Sequence, residues 1–92
     1  MTARLRILVV DDVADAAESM ARLLSALGHE AAYVTRSTQA LKVAREMRPH
    51  LVFLDLGMPE IDGYELARQM RAEFGFDGLR LVAISGWGRE ED

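Results

Sequence analysis

The chain has 92 residues, half of them hydrophobic and 28% charged, which suits one small folded domain and is too apolar for disorder. A net charge of −4 speaks against direct nucleic-acid binding, and the absence of cysteine excludes disulfides and thiolate–metal chemistry. No stretch is long enough to span a membrane, and residues 1–4 lead into a strand-like run instead of a signal peptide, so a cytoplasmic setting is the default.

Residues 5–10 read Leu-Arg-Ile-Leu-Val-Val, a near-continuous apolar run that fits a strand covered on both faces, as in a parallel sheet. It stops at Asp11-Asp12. Ala16, Met20, Leu23, Leu24 and Leu27 then recur at helical spacing, a stripe that predicts core packing, and Gly28 suits a left-handed residue closing the helix. Glu30–Val34 is a weaker, partly exposed second strand. Ser37 is placed to cap a second helix that runs to Met47, with Ala40, Leu41, Ala44 and Met47 inward and Pro49 ending it.

Leu51–Asp55 is the third strand, an apolar run ending in a carboxylate beside a loop broken by Gly57 and Pro59. Asp62 and Glu65 have capping-box spacing for a third helix carrying Leu66, Met70 and Phe74 at i, i+4, i+8. Residues 79–85 form a fourth apolar strand that ends in the hydroxyl of Ser85, and its composition predicts burial on both faces. The order β-α-β-α-β-α-β, with right-handed crossovers, predicts a doubly wound α/β parallel sheet in one domain.

Three strands thus end in polar groups: Asp11 and Asp12 on the first, Asp55 on the third, Ser85 on the fourth. With the first and third strands adjacent, the three carboxylates meet at the switch point of the sheet, where ligands bind. Like charges so close raise each other's pKa or demand a cation, and an all-oxygen set favours a hard ion, magnesium in particular when a phosphate shares it. That points to phosphoryl chemistry with a carboxylate nucleophile. Singly, each residue has a plainer explanation: Asp12 as a helix cap, Asp15 as a favourable first-turn charge, Ser85 as a turn residue. The loop after the first strand lacks the glycines of a dinucleotide fold, and no Walker-type Gly-Lys-Ser/Thr occurs. His29 and His50 read as solvated turn residues. A free-standing phosphohydrolase would want a second acid to handle water or the leaving group, and Leu56-Gly57 offers none.

Residues Ile7-Leu8-Val9-Val10-Asp11-Asp12, the block running from Leu54-Asp55 through Met58-Pro59 to Asp62-Gly63-Tyr64-Glu65, and Val82-Ala83-Ile84-Ser85-Gly86 together resemble a response-regulator receiver domain of bacterial two-component signalling. The first helix is similar in style to receivers attached to hybrid sensor kinases. The resemblance implies a flavodoxin-like receiver fold over residues 1–92, incomplete at the C-terminus. Asp55 would be the phospho-acceptor for a sensor histidine kinase or phosphotransfer protein. Asp11, Asp12, Asp55 and the Gly57 carbonyl would hold Mg2+, and Ser85 would be the switch hydroxyl. The domain would assist its own phosphotransfer without being an enzyme in the ordinary sense. Gly86 stands where such domains more often have Ala. The fifth strand with its lysine and switch aromatic, and the fifth helix, have no counterpart here; the one lysine, Lys42, falls on the second helix. Two expectations follow from that departure. The fourth strand becomes an apolar edge open to homodimer pairing, and the alternative function is a binding or dimerisation module in which phosphorylation is uncoupled from shape.

Overall fold

A computed structural model describes residues 4–55, 63–75 and 79–84. Its elements in chain order are β1 (Arg6–Val10), α1 (Ala14–Ala26), β2 (Glu30–Val34), α2 (Ser37–Met47), β3 (Leu51–Asp55), α3 (Gly63–Phe74) and β4 (Arg80–Ile84). The four strands form one parallel sheet in the order β2-β1-β3-β4, and no fifth strand lies among the described residues. The doubly wound fold expected from the sequence is the one found.

The chain order fixes which helix covers which face. The step from β1 to β2 runs one way along the sheet, whereas β2 to β3 and β3 to β4 run the other way. Right-handed crossovers therefore send α1 to one face and α2 and α3 to the other. The larger core lies under α2 and α3: Leu8, Val10, Val34, Val52 and Leu54 from the sheet meet Ala40 and Ala44 of α2 and Leu66 and Met70 of α3. Central β1 is enclosed on both faces, with Ile7, Leu8, Val9 and Val10 at most 1% exposed. Burying each such side chain stabilises the fold by about 1.5–3 kcal/mol, which is why this run carries no polar residue.

Three sequence expectations need correction. In α1 the buried residues are Ala17 and Ala21; Met20 and Leu24 are half-buried, and Ala16, Leu23 and Leu27 are exposed. Small side chains thus face the sheet, and Leu23 and Leu27 look away from it. In α2 the cap position is Arg36, with no side-chain capping bond. Ser37 is instead the first helical residue, 3% exposed, and its hydroxyl has no partner among the described residues. In β4 only partial burial is found and Val82 is 40% exposed, because β4 has a partner on one side only among the described residues.

Elsewhere the reading holds. Gly28 has φ +98° and follows the cap residue Leu27, and Asp15 lies in the first turn of α1. Strand β2 lies at the other edge and is half open to solvent. Leu66 and Met70 are buried with Phe74 packed beside them. The Asp62 cap falls outside the described residues.

Both histidines do more than the sequence suggested. Nδ1 of His29 accepts the backbone N–H of Leu5 at 3.1 Å, and Nδ1 of His50 accepts that of Arg6 at 2.9 Å. These bonds cap the entry of the central strand, where two successive amides would otherwise lie beyond the sheet ladder.

Candidate metal and phosphoryl site

Register places the site. Val10 lies opposite Leu54 in the β1–β3 ladder, so Asp11, just past β1, and Asp55, the last residue of β3, stand side by side at the carboxyl edge of the sheet. The strand order reverses between these two strands, with β2 beyond one and β4 beyond the other, which opens a crevice at their carboxyl ends. Asp55 is 6% exposed, Asp11 is half-buried and Asp12 is exposed. The three carboxylates each offer an oxygen within 4.8 Å of the others.

The loop after β1 holds this arrangement. Asp11 Oδ1 accepts the Val13 N–H at 3.0 Å, a turn closed by the aspartate's own side chain, and the Asp11 N–H donates to the Val34 carbonyl at 3.2 Å. Val13, in an extended conformation, takes the cap position of α1 without a side-chain capping bond. The plainer explanation of Asp12 as a helix cap therefore fails. Its carboxylate stays with the cluster.

Burial pushes the Asp11 carboxyl above the ordinary carboxylate range. The Val13 N–H works against that rise, while the Asp55 and Asp12 charges and a hydrogen bond with the Asp55 side chain add to it. A set of three carboxylate oxygens, without nitrogen or sulfur, can hold a hard divalent cation, which would relieve this repulsion. Gly57 and Ser85, the other two predicted site residues, lie outside the described residues. Ser85 directly follows Ile84, the register partner of Asp55 in the β3–β4 ladder. Lys42 is exposed on α2, an element that carries none of the three acids.

The model of the response regulator receiver domain matches residues 7–92. The chain belongs to the response-regulator receiver family. The DNA-binding response regulator MtrA of Mycobacterium tuberculosis is 44% identical over 82 residues, covering 89% of this chain and 36% of that protein. A probable transcriptional regulator, ycf27 of Porphyridium aerugineum, is 34% identical over 80 residues, covering 87% and 33%. The receiver thus spans about a third of the length of these curated relatives. Among solved structures, a CheY-like receiver domain from Methylobacillus flagellatus superposes with a TM-score of 0.83 at 35% identity, covering 92% of this chain and 72% of that one. TrrA of Thermotoga maritima, solved with magnesium and beryllium fluoride, gives 0.79 at 30% identity, covering 90% and 70%. As a receiver the chain is a module of two-component signalling. None of its described helices is long and apolar enough to cross a membrane.

Proposed function

We propose that this receiver takes a phosphoryl group onto Asp55 from a phosphohistidine of a sensor histidine kinase or phosphotransfer protein. A carboxylate oxygen of Asp55 forms the new P–O bond, the P–N bond of the donor breaks, and the departing imidazole takes up a proton. The observation that carries this reading is the in-register exit of Asp11 and Asp55 at the reversal of strand order, with Asp12 alongside. Low exposure of Asp55 limits attack to a donor entering along the crevice.

Asp11, Asp12 and Asp55, with the Gly57 carbonyl, are the residues that would hold Mg2+, in line with the magnesium in the related TrrA structure. Bound there, the metal supplies positive charge to the phosphoryl oxygens. The Val13 N–H pins one oxygen of Asp11 and so orients its carboxylate. Ser85, one residue beyond the register partner of Asp55, is the hydroxyl that meets the new phosphoryl charge and biases the partner-binding surface. The chain's part in the chemistry is to assist its own phosphorylation and dephosphorylation. The test is acid-labile labelling by acetyl phosphate with magnesium: the native chain takes up label and Asp55→Asn does not. Stoichiometric labelling of Asp55→Asn would refute the assignment.

The second reading, a module whose phosphorylation is uncoupled from shape, is favoured by the exposed position of the lone lysine on α2. Trp87 lies two residues past Ser85, so its fluorescence separates the readings: a coupled site changes it on phosphorylation, an uncoupled one does not. We further propose that β4 supplies a homodimer edge. Direct nucleic-acid contact is not proposed for a chain of net charge −4.

A further inference from the structure

At the opposite end of the sheet, where the strands begin, a cavity of about 340 Å³ lies between the end of α2, the start of β1 and the end of α3. Arg6, Arg48 and His50 contribute polar groups to its wall, and Pro49, Phe74 and Leu79 contribute apolar surface. We propose that this cavity binds a small organic oxyanion, a carboxylate carried on an apolar body.

The donors are set out for such a ligand. Because His50 Nδ1 accepts the Arg6 N–H, the neutral ring carries its proton on Nε2, which is left as a donor. Arg6 Nε is shared between the carbonyls of Met47 and Arg48, each at 2.8 Å, which fixes the guanidinium and leaves its two terminal NH2 groups. The Arg48 guanidinium has no hydrogen-bond or ionic partner among the described residues. Glu73, the one acid among the described residues of the wall, is already neutralised: Arg45 bonds both of its oxygens. Arg71 bonds the Leu79 carbonyl at 2.7 Å and holds that wall in place. Among the described residues the wall therefore keeps an excess of positive charge beside an apolar surface, the composition that orients a carboxylate head and covers its body.

The backbone supplies an independent observation. Arg48 has φ +52°, the one non-glycine residue with positive φ among the described residues, and it precedes a proline, which further restricts it. Glycine or asparagine would sit there with less strain. A long cationic side chain held in an unfavourable backbone conformation on the wall of a cavity is the pattern of a residue kept for its side chain.

The experiment follows the imidazole signals of the 92-residue chain by NMR during titration with benzoate, with inorganic phosphate and with sodium chloride at matched ionic strength. His29 caps the same strand but does not line the cavity, so it is the internal reference. The proposal expects saturable movement of His50 with benzoate, weaker movement with phosphate, and none of either kind at His29. Arg48→Gly and Arg48→Asn, both suited to the local backbone, should melt no lower than the native chain and bind benzoate about tenfold or more weakly, as loss of one charge-assisted contact implies. Labelling of Asp55, at the far end of the strands, stays unchanged in both variants. Unsaturable shifts, equal shifts at His29, or undiminished binding by either Arg48 variant would overturn the proposal.

Discussion

The acidic cluster makes a quantitative claim on stability. Asp11 and Asp12 are chain neighbours and repel each other in the unfolded state too, so what folding adds is burial of Asp11 and the approach of Asp55. Two unit charges no more than 4.8 Å apart repel by at least about 1 kcal/mol even when screened as in bulk water. Asp11→Asn removes that term and keeps an amide oxygen to accept the Val13 N–H. Without divalent metal at neutral pH the variant should be more stable by about 1 kcal/mol, which raises Tm by about 4–8 °C in a domain of this size. The sign of the pH dependence follows from the raised Asp11 pKa. A carboxyl raised in the folded state costs stability above its folded pKa, and that cost fades as pH falls towards the unfolded value. The variant's advantage should therefore shrink in acid. Magnesium should raise the native Tm and close the gap from the other direction. Thermal melts in chelator and in magnesium across the acid-to-neutral range are the assay. An equal or lower Tm for Asp11→Asn in chelator at neutral pH, or an advantage that widens in acid, would refute the reasoning.

Other outcomes are equally direct. Ser37→Ala should stabilise the chain by about 1 kcal/mol, because it removes a buried hydroxyl that has no partner; were Ser37 a cap, denaturant titration would show a loss of similar size. Leu66→Ala, at a position 1% exposed in the larger core, should cost about 2–5 kcal/mol and lower Tm by at least about 8 °C. If β4 pairs with a second copy, light scattering should show a mass that rises with concentration and reverts to monomer in Val82→Lys; a native chain that stays monomeric when concentrated removes that proposal.

The strands were legible because both-face burial writes itself as an unbroken apolar run. Ile7 to Val10 and Leu51 to Leu54 can hardly be read otherwise, and the carboxylates that end them stand out for the same reason. Adjacency of β1 and β3, on which the site depends, followed only conditionally, since pairing is a property of the assembled sheet. The inward side of α1 is hard to read from sequence because two stripes overlap on one helix. The stripe of Ala16, Met20, Leu23, Leu24 and Leu27 is the more hydrophobic, but the fully buried residues are Ala17 and Ala21, with Met20 and Leu24 half-buried beside them. Sequence alone could not show that Ser37 is drawn into the helix and buried without a partner. The roles of His29 and His50 were invisible for a different reason: their backbone partners lie 24 and 44 residues away in the chain, so no local pattern marks them. The strain at Arg48 was equally silent, although an arginine directly before a proline at a helix end was a signal worth weighing.

Parallel strands have a further electrical consequence. Asp11, Asp12 and Asp55 sit where strands end, while Arg6 and Arg80 open β1 and β4 and Arg48 precedes β3. Among the described residues the two ends of these strands therefore differ in sign of charge, with Glu30 at the start of β2 the exception. Within about 8–10 Å, the screening length at physiological salt, the field of a positively charged partner exerts a torque that turns the acidic pole towards it before any atoms touch. Collisions with such a partner should then begin with the acidic cluster foremost. Added salt should accordingly slow the encounter with a basic partner more than it slows any step that follows.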